Sequence, residues 1–201
     1  MLCRNVTHRD SGFTLVELLV AITLIAIIGS TFLVFFKSTF FNYLNLQADA
    51  TTMTQVNTQA NRVAQVMRGV TGLISVDSND FQGYSYFYPQ DSYVSVIHYY
   101  LKTTGKTTQL LADVTPMSAN PPIGSPVTAK LKTYTIIDNF YQPTGGSLFT
   151  YLGTTGNALT LPVSDLTTVK AVQVNIAAKL SNGANQTLAV QVGLRSRKTN
   201  L

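Results

Sequence analysis

The sequence is poor in cysteine, tryptophan and charged residues. Its 201 residues include one cysteine, Cys3, and no tryptophan, so an internal disulfide and a cysteine metal cluster are both excluded. Charged residues make up 11% of the chain, against about 25% in ordinary globular domains. This excludes a charged disordered tail, a salt-bridged coiled coil and a histone-like DNA packager. The net charge of +5 comes from 14 basic and 9 acidic residues, so the basic isoelectric point reflects scarce acids and not a basic patch.

Motifs for catalysis and for metal binding are also weak. Gly105-Lys106-Thr107 lacks the earlier glycine of a phosphate-binding loop, and residues 77–80 lack the downstream acid of a calcium loop. After residue 8 the sequence contains no cysteine and no other histidine that could form a zinc site with His98. Ser147 lacks the glycine pattern of a nucleophile elbow. We therefore expect no enzyme activity, no metal and no cofactor.

What the sequence does contain is one long apolar run, from Phe13 to Phe36. It carries a single charged residue, Glu17. As a helix it would span about 36 Å, enough to cross a hydrocarbon core of about 30 Å. A buried helix of a soluble protein is the alternative, but such a helix is usually apolar on one stripe, and this run is apolar all round. The run therefore predicts a membrane-spanning helix.

A short polar leader, residues 1–12, precedes this run. Arg4 and Arg9 outnumber its one acid, Asp10, and positive charge before a first membrane helix keeps that end in the cytoplasm. A secretory signal has its small-residue cleavage site after the apolar region, whereas here the small residues Ser11-Gly12 stand before it. Cleavage there would keep the membrane helix and remove the leader together with its cysteine.

Glu17 is an ionisable residue near the start of the predicted membrane helix. A carboxylate in the hydrocarbon costs a few kcal/mol at the centre and less near the interface. One interpretation is that the headgroup region hydrates Glu17. The favoured one is that it pairs with an ammonium group, because cleavage after Gly12 would create an α-amino group on Phe13 and make Glu17 the fifth mature residue.

The segment Gly12-Phe13-Thr14-Leu15-Val16-Glu17 resembles the processing site of type IV prepilins and type II secretion pseudopilins, which carry a class III prepilin leader. The resemblance covers about the first 36 residues. It implies cleavage between Gly12 and Phe13 by a prepilin peptidase, N-methylation of Phe13, and an assembly role for Glu17. The residues expected to pack in the membrane and the filament core are Leu15, Val16, Leu18, Leu19, Ile22, Ile25 and Ile28.

The helix is expected to continue beyond the apolar run. No proline interrupts residues 37–72, and Gly69 and Gly72 are candidate stop signals, so a helix over about 13–70 is predicted. An amphipathic stripe recurs at steps of three and four residues: Val56, Ala60, Val63, Met67 and Val70. Thr and Asn are abundant and are poor helix formers, so packing against another element must supply much of the stability. A coiled-coil stalk is less favoured, since no clean heptad appears.

Segments rich in β-branched and aromatic residues predict strands in the rest of the chain. The predicted strands are 93–101, 107–112, 133–137, 148–152, 172–180 and 188–194. The first two flank a turn at 104–106, and the last two flank Ser181-Asn182-Gly183, so each pair predicts a hairpin. The proline-rich segment 120–126 is expected as a loop. The apolar face of the strands needs a cover, and the C-terminal half of the long helix is the natural one.

These elements predict an α+β, pilin-like fold: a long N-terminal helix, its first half transmembrane, packed on a C-terminal antiparallel sheet. The predicted segments are a cleaved leader at 1–12, the membrane or filament-core half of the helix at 13–36, its amphipathic half at 37–72, and a β-rich head domain at 73–201. The terminal hairpin most resembles minor subunits, the J-type minor pseudopilins and W-type minor pilins.

The function expected from this resemblance is structural. The chain would be a minor subunit of a type IV pilus or type II secretion pseudopilus, anchored in the cytoplasmic (inner) membrane by a single pass, with its N-terminus cytoplasmic before assembly and its head outside. Its expected partners are the prepilin peptidase, other pilin or pseudopilin subunits, the inner-membrane assembly platform and membrane lipids.

Two alternatives remain open. One is a pilus-tip module that binds DNA or a surface. It would use the aromatic run 84–88 together with Tyr93, Tyr99 and Tyr100, which could stack on bases or sugars, or the basic residues Arg195, Arg197 and Lys198. For the aromatic run, packing within strands is favoured, because no Lys or Arg is interleaved there. The other alternative is an uncleaved single-pass protein that keeps its leader.

Overall fold

The computed structural model describes residues 12, 14–105, 107–138, 140–142, 145–181 and 183–194. The chain divides into two compact units, Met1–Gln47 and Ala48–Leu201, called the N-terminal unit and the C-terminal unit below. One long helix, α1, runs from Leu15 to Arg68 and contributes to both units.

The C-terminal part of α1 carries the predicted stripe. All five stripe residues are buried, including Ala60, Val63 and Met67 at 0% exposure. The helix ends at Arg68, directly before Gly69. A Cβ at Gly69 would lie 3.1 Å from the Ser85 hydroxyl, and that buried hydroxyl donates a 2.6 Å hydrogen bond to the carbonyl of Val66. A glycine therefore lets a strand residue approach the helix end and satisfy one of its free carbonyls.

The described residues form two antiparallel sheets. The first has five strands in chain order: β1 (Gly72–Val76), β2 (Asp80–Ser85), β3 (Ser95–Thr104), β4 (Thr107–Pro116) and β5 (Lys132–Ile137). The second has three strands: β6 (Phe149–Leu152), β7 (Ala171–Lys179) and β8 (Asn185–Gly193). Two short 3-10 helices lie at Thr128–Lys130 and Leu166–Thr168.

Both predicted hairpins are confirmed. β3 pairs with β4 from Ser95–Pro116 to Thr104–Thr107, and β7 pairs with β8 without a bulge. The sequence does not predict β1 and β2. Their pairing shifts register between Leu73 and Ser75, and a Cβ at Gly83 in β2 would lie 2.9 Å from the backbone oxygen of Gly72. A bulge and a strand glycine both weaken the period-two pattern on which strand prediction rests.

The core of the C-terminal unit joins the helix stripe to both sheets. Phe81 of β2 contacts Tyr99 of β3 and Phe149 of β6 through tilted ring pairs at 6.4 and 5.8 Å, and all three rings are at most 1% exposed. Burying one such large side chain contributes about 1.5–3 kcal/mol. The predicted fold class, an α+β pilin-like arrangement of one long helix and antiparallel sheets, is confirmed.

Candidate processing and assembly site

The start of α1 is organised around Thr14 and Glu17. The backbone N–H of Thr14 donates to Glu17 Oε2 at 2.9 Å, and the Thr14 hydroxyl donates to the same oxygen at 3.0 Å. In return, the backbone N–H of Glu17 donates to Thr14 Oγ1 at 3.2 Å. This reciprocal arrangement is a capping box, in which the first and fourth residues satisfy each other's free backbone donors.

The capping box includes Thr14, to which the sequence predictions assign no role. The signal for Thr14 is present in the sequence as the pattern Thr-x-x-Glu before an apolar run. Glu17 is the only glutamate in the chain, and it stands in the first turn of α1. A carboxylate there also interacts favourably with the positive end of the helix dipole. Glu17 is therefore held in one place by the local backbone before any partner binds.

The predicted cleavage position lies just before this cap. Gly12 is exposed, and no atom of the described residues lies within 4 Å of the place where a Cβ would stand. Phe13 lies outside the described residues.

The seven predicted packing residues lie on α1 and are all exposed, from 56% for Leu18 to 80% for Leu15. The helix is long and apolar enough, by length and composition, to span a membrane. Its few hydroxyl groups bond to the helix backbone: Thr23 donates to the carbonyl of Val20 at 2.8 Å and Thr31 to that of Ile27 at 2.9 Å. Such bonds satisfy the hydroxyls within the helix, as an apolar environment requires.

An aromatic ridge follows the predicted packing residues along α1. Phe32, Phe36 and Phe40 stack in sequence, with ring centroids 6.3 and 6.1 Å apart, and all three rings are exposed. From Leu15 to Phe36 the helix rises about 33 Å at about 1.5 Å per residue. Lys37 directly follows the second ring of this ridge in the sequence and is the first charged residue after Glu17.

The weak calcium candidate, residues 77–80, is a tight turn whose oxygens have partners. Asn79 Oδ1 accepts from the backbone N–H of Leu148 at 3.1 Å, and Asp80 Oδ2 lies 2.6 Å from His98 Nε2. The hydroxyl of Tyr151 donates to the backbone oxygens of both aspartates at 3.1 Å. Among the described residues, no three His, Cys, Asp or Glu side chains lie close enough together to hold a metal ion.

The other candidates of the sequence are placed as follows. His98 stands on β3 and stacks on Tyr100 at 4.7 Å, and Ser147 precedes β6. The aromatic run 84–88 leaves the sheet after Ser85 and continues as a loop. Lys106 and the basic residues at 195–198 lie outside the described residues.

The comparison with protein families agrees with the geometry of the helix start. Residues 7–33 match the prokaryotic N-terminal methylation motif, which covers the second half of the predicted leader, the capping box and most of the exposed apolar run. No curated protein and no solved structure gives a significant match to the chain. The chain therefore carries a prokaryotic N-terminal methylation motif, and its long apolar helix and antiparallel sheets fit the type IV pilin family.

Proposed function

We propose that the chain is a minor structural subunit of a type IV pilus or type II secretion pseudopilus, and that its role is assembly and not catalysis. A prepilin peptidase would cut after Gly12 and methylate the new N-terminal residue, Phe13. The observation that carries the proposal is the exposed, capped carboxylate of Glu17 at the head of an exposed apolar helix, inside a matched methylation motif.

Charge pairing explains why this carboxylate is kept in an apolar segment. Cleavage turns the backbone nitrogen of Phe13 into an ammonium group, one residue before the Thr14 N–H that already bonds Glu17. Among the described residues, both capping bonds that the Glu17 carboxylate accepts use its Oε2. The ammonium of the same chain or of a neighbouring subunit then neutralises the carboxylate, and this offsets its desolvation in the membrane or in a filament core.

Assembly replaces lipid by other helices around the same apolar side chains. Lipid tails are as apolar as leucine, so burial alone supplies little free energy for this exchange, and close helix packing and the charge pair must set the register. Gly29 and Ser30 stand next to each other in α1, and Gly/Ser pairs are known places for helix bending. The partners in this step are other pilin or pseudopilin subunits and the inner-membrane assembly platform.

The proposed location follows the charges around the helix. Arg4 and Arg9 hold the leader in the cytoplasm, α1 crosses the cytoplasmic membrane once, and the C-terminal unit folds outside. The terminal hairpin β7–β8 and the lack of a disulfide support a minor over a major subunit. In a minor subunit, quantitative mass spectrometry of sheared filaments should find far fewer copies than of the main subunit.

Cysteine cross-linking tests the proposed assembly. Cleavage would remove Cys3, so the mature chain would have no native thiol and single introduced cysteines would report cleanly. In filaments isolated from the native host, Ile25→Cys should cross-link to another subunit's helix, whereas Gln191→Cys on exposed β8 serves as the matched control. The proposal fails if the chain stays in the membrane fraction and is absent from the filaments.

A further inference from the structure

One unexplained feature of the C-terminal unit is an open cleft of about 710 Å³. It lies at the end of the five-stranded sheet where β3 begins, β4 ends and β5 begins. Its lining comes from segments 88–95, 114–117 and 129–134. This volume is in the range of small-molecule sites, about 300–1,000 Å³.

One wall of the cleft is a fixed aromatic cluster. Phe87 stacks on Tyr134 at 4.9 Å and meets Tyr88 edge-on at 4.9 Å, while the Arg62 guanidinium lies 5.2 Å from the centre of the Phe87 ring. A hydrogen bond to Tyr88 raises the pKa of the Tyr134 phenol. The ring contacts therefore hold both tyrosines in a rigid arrangement.

The loop that closes this wall is also held in place. The backbone N–H of Tyr88 donates to Asp91 Oδ2 at 3.0 Å, and the backbone N–H of Val94 donates to Asn120 Oδ1 at 3.0 Å. Tyr93, between these two anchors, lines the cleft and is 46% exposed. The loop therefore offers a preorganised aromatic face at the rim, which lowers the entropic cost of binding a ligand.

The cleft lining also contains two basic residues. Lys130 and Lys132 both line it, and neither has a carboxylate within ion-pair distance in the part of the chain that the structure describes. Asp91 is the cleft's one acid, and it is engaged with the Tyr88 backbone. The sequence separates these lysines from Tyr88 and Tyr93 by about forty residues, so their proximity to these two tyrosines is visible only in the fold.

We infer that this cleft binds an acidic sugar, a pyranose ring bearing a carboxylate, as in a polysaccharide that contains uronic acid. The C–H face of the ring would pack on Tyr93, and its hydroxyl groups would bond to Ser92 and Ser95 at the cleft wall. Its carboxylate would form charge-assisted hydrogen bonds with Lys130 and Lys132. This activity goes beyond the proposed function and rests on the C-terminal unit alone.

A nucleic acid fits these observations less well. Its affinity comes mainly from many phosphate contacts along a basic surface. Positions 48–194 hold eight basic and seven acidic residues, a net charge of +1, and the cleft itself contains only two of the basic ones. Two cations in a bounded cleft match one or two carboxylates better than a polyphosphate backbone.

Isothermal titration calorimetry on the full chain in detergent micelles tests the inference. The probes are tri-galacturonate, the neutral maltotriose and an oligothymidylate of similar length. We expect saturable binding of tri-galacturonate that weakens as salt is added, at least about tenfold weaker binding of maltotriose, and weaker binding of the oligothymidylate. Preference for either of the other probes, or no binding of tri-galacturonate, overturns the inference.

Two pairs of variants assign the binding to the cleft. The double variant Lys130→Ala/Lys132→Ala should lose at least about tenfold in affinity, and Lys102→Ala, an exposed lysine of β3, should lose none. Tyr93→Ala should weaken binding, and Tyr86→Ala, which is 38% exposed but outside the lining, should not. An unchanged far-ultraviolet circular dichroism spectrum and an unchanged thermal midpoint confirm folding in each case. Equal effects within a pair would contradict the assignment, whether or not the chain enters filaments.

Discussion

One helix serves two environments in this protein. In its N-terminal part, large apolar residues such as Leu15 and Ile25 are 80% and 70% exposed. In its C-terminal part, Ala60, Val63 and Met67 are 0% exposed beneath two sheets. The same helix is therefore packed within the chain in its C-terminal part, whereas its N-terminal part exposes its apolar side chains. The difference shows that apolar content alone does not tell where a helix finds its partners.

The largest expected effect is a difference in the free energy of unfolding between substitutions in the two parts of α1. Met67→Ala removes a fully buried side chain and should lower the free energy of unfolding of the C-terminal unit by about 2–5 kcal/mol. Ile25→Ala is the matched control, because its side chain belongs to the N-terminal unit and is 70% exposed. Chemical denaturation followed by tyrosine circular dichroism measures both. Equal losses in the two variants would break the comparison.

The next effect separates charge pairing from helix capping at Glu17. Glu17→Ala removes both, whereas Glu17→Gln keeps an oxygen that can accept from Thr14 in a capping box. If charge pairing with the Phe13 amine dominates, both variants should enter filaments at least about tenfold less than the natural chain, about 1.4 kcal/mol. Quantitative immunoblots of sheared filaments measure this.

The control for this experiment is the membrane fraction. Both Glu17 variants should insert into membranes as well as the natural chain, since neither shortens the apolar run. Normal filament entry of Glu17→Gln with loss of Glu17→Ala would show that capping, and not charge, is the essential role.

An effect of similar size distinguishes two buried tyrosines of the C-terminal unit. The Tyr151 hydroxyl donates to the backbone oxygens of Asp77 and Asp80 at 3.1 Å, so Tyr151→Phe should cost about 1–3 kcal/mol. The buried hydroxyl of Tyr99 has no hydrogen-bond partner among the described residues, so Tyr99→Phe should be neutral or stabilising. Thermal unfolding compares the two, and a large loss in Tyr99→Phe would contradict the assignment.

The last effect is a loss of stability at high pH, and it is absent near neutral pH. Burial raises the pKa of Tyr99 and of Tyr151 well above the usual value near 10. As the pH rises, the unfolded chain releases these phenolic protons before the folded chain does. The contribution of each tyrosine to the free energy of unfolding is therefore complete below about pH 10, and above that pH it falls by about 1.4 kcal/mol per pH unit. Denaturation midpoints at pH 8 and 11 should show a shallower loss in Tyr151→Phe than in the natural chain.

Local pattern predicts much of this architecture. The stripe from Val56 to Met67 and the alternation in β7 and β8 are periodic. The sequence therefore predicts both the packing of the helix on the strands and the last hairpin. β1 and β2 are not predicted, because a bulge near Ser75 and the glycine at position 83 break the alternation. Thr14 was readable from the Thr-x-x-Glu pattern. The cleft was not, because only the sheet topology brings Lys132 near Tyr88.

The state of the N-terminus in native membranes tests the central claim most directly. Intact-mass and peptide mass spectrometry of the protein from its own host should find a chain that begins at Phe13 and is one methyl group heavier than the unmodified sequence. A functional protein that retains Met1 to Gly12, or one cut after the apolar run, would contradict the account.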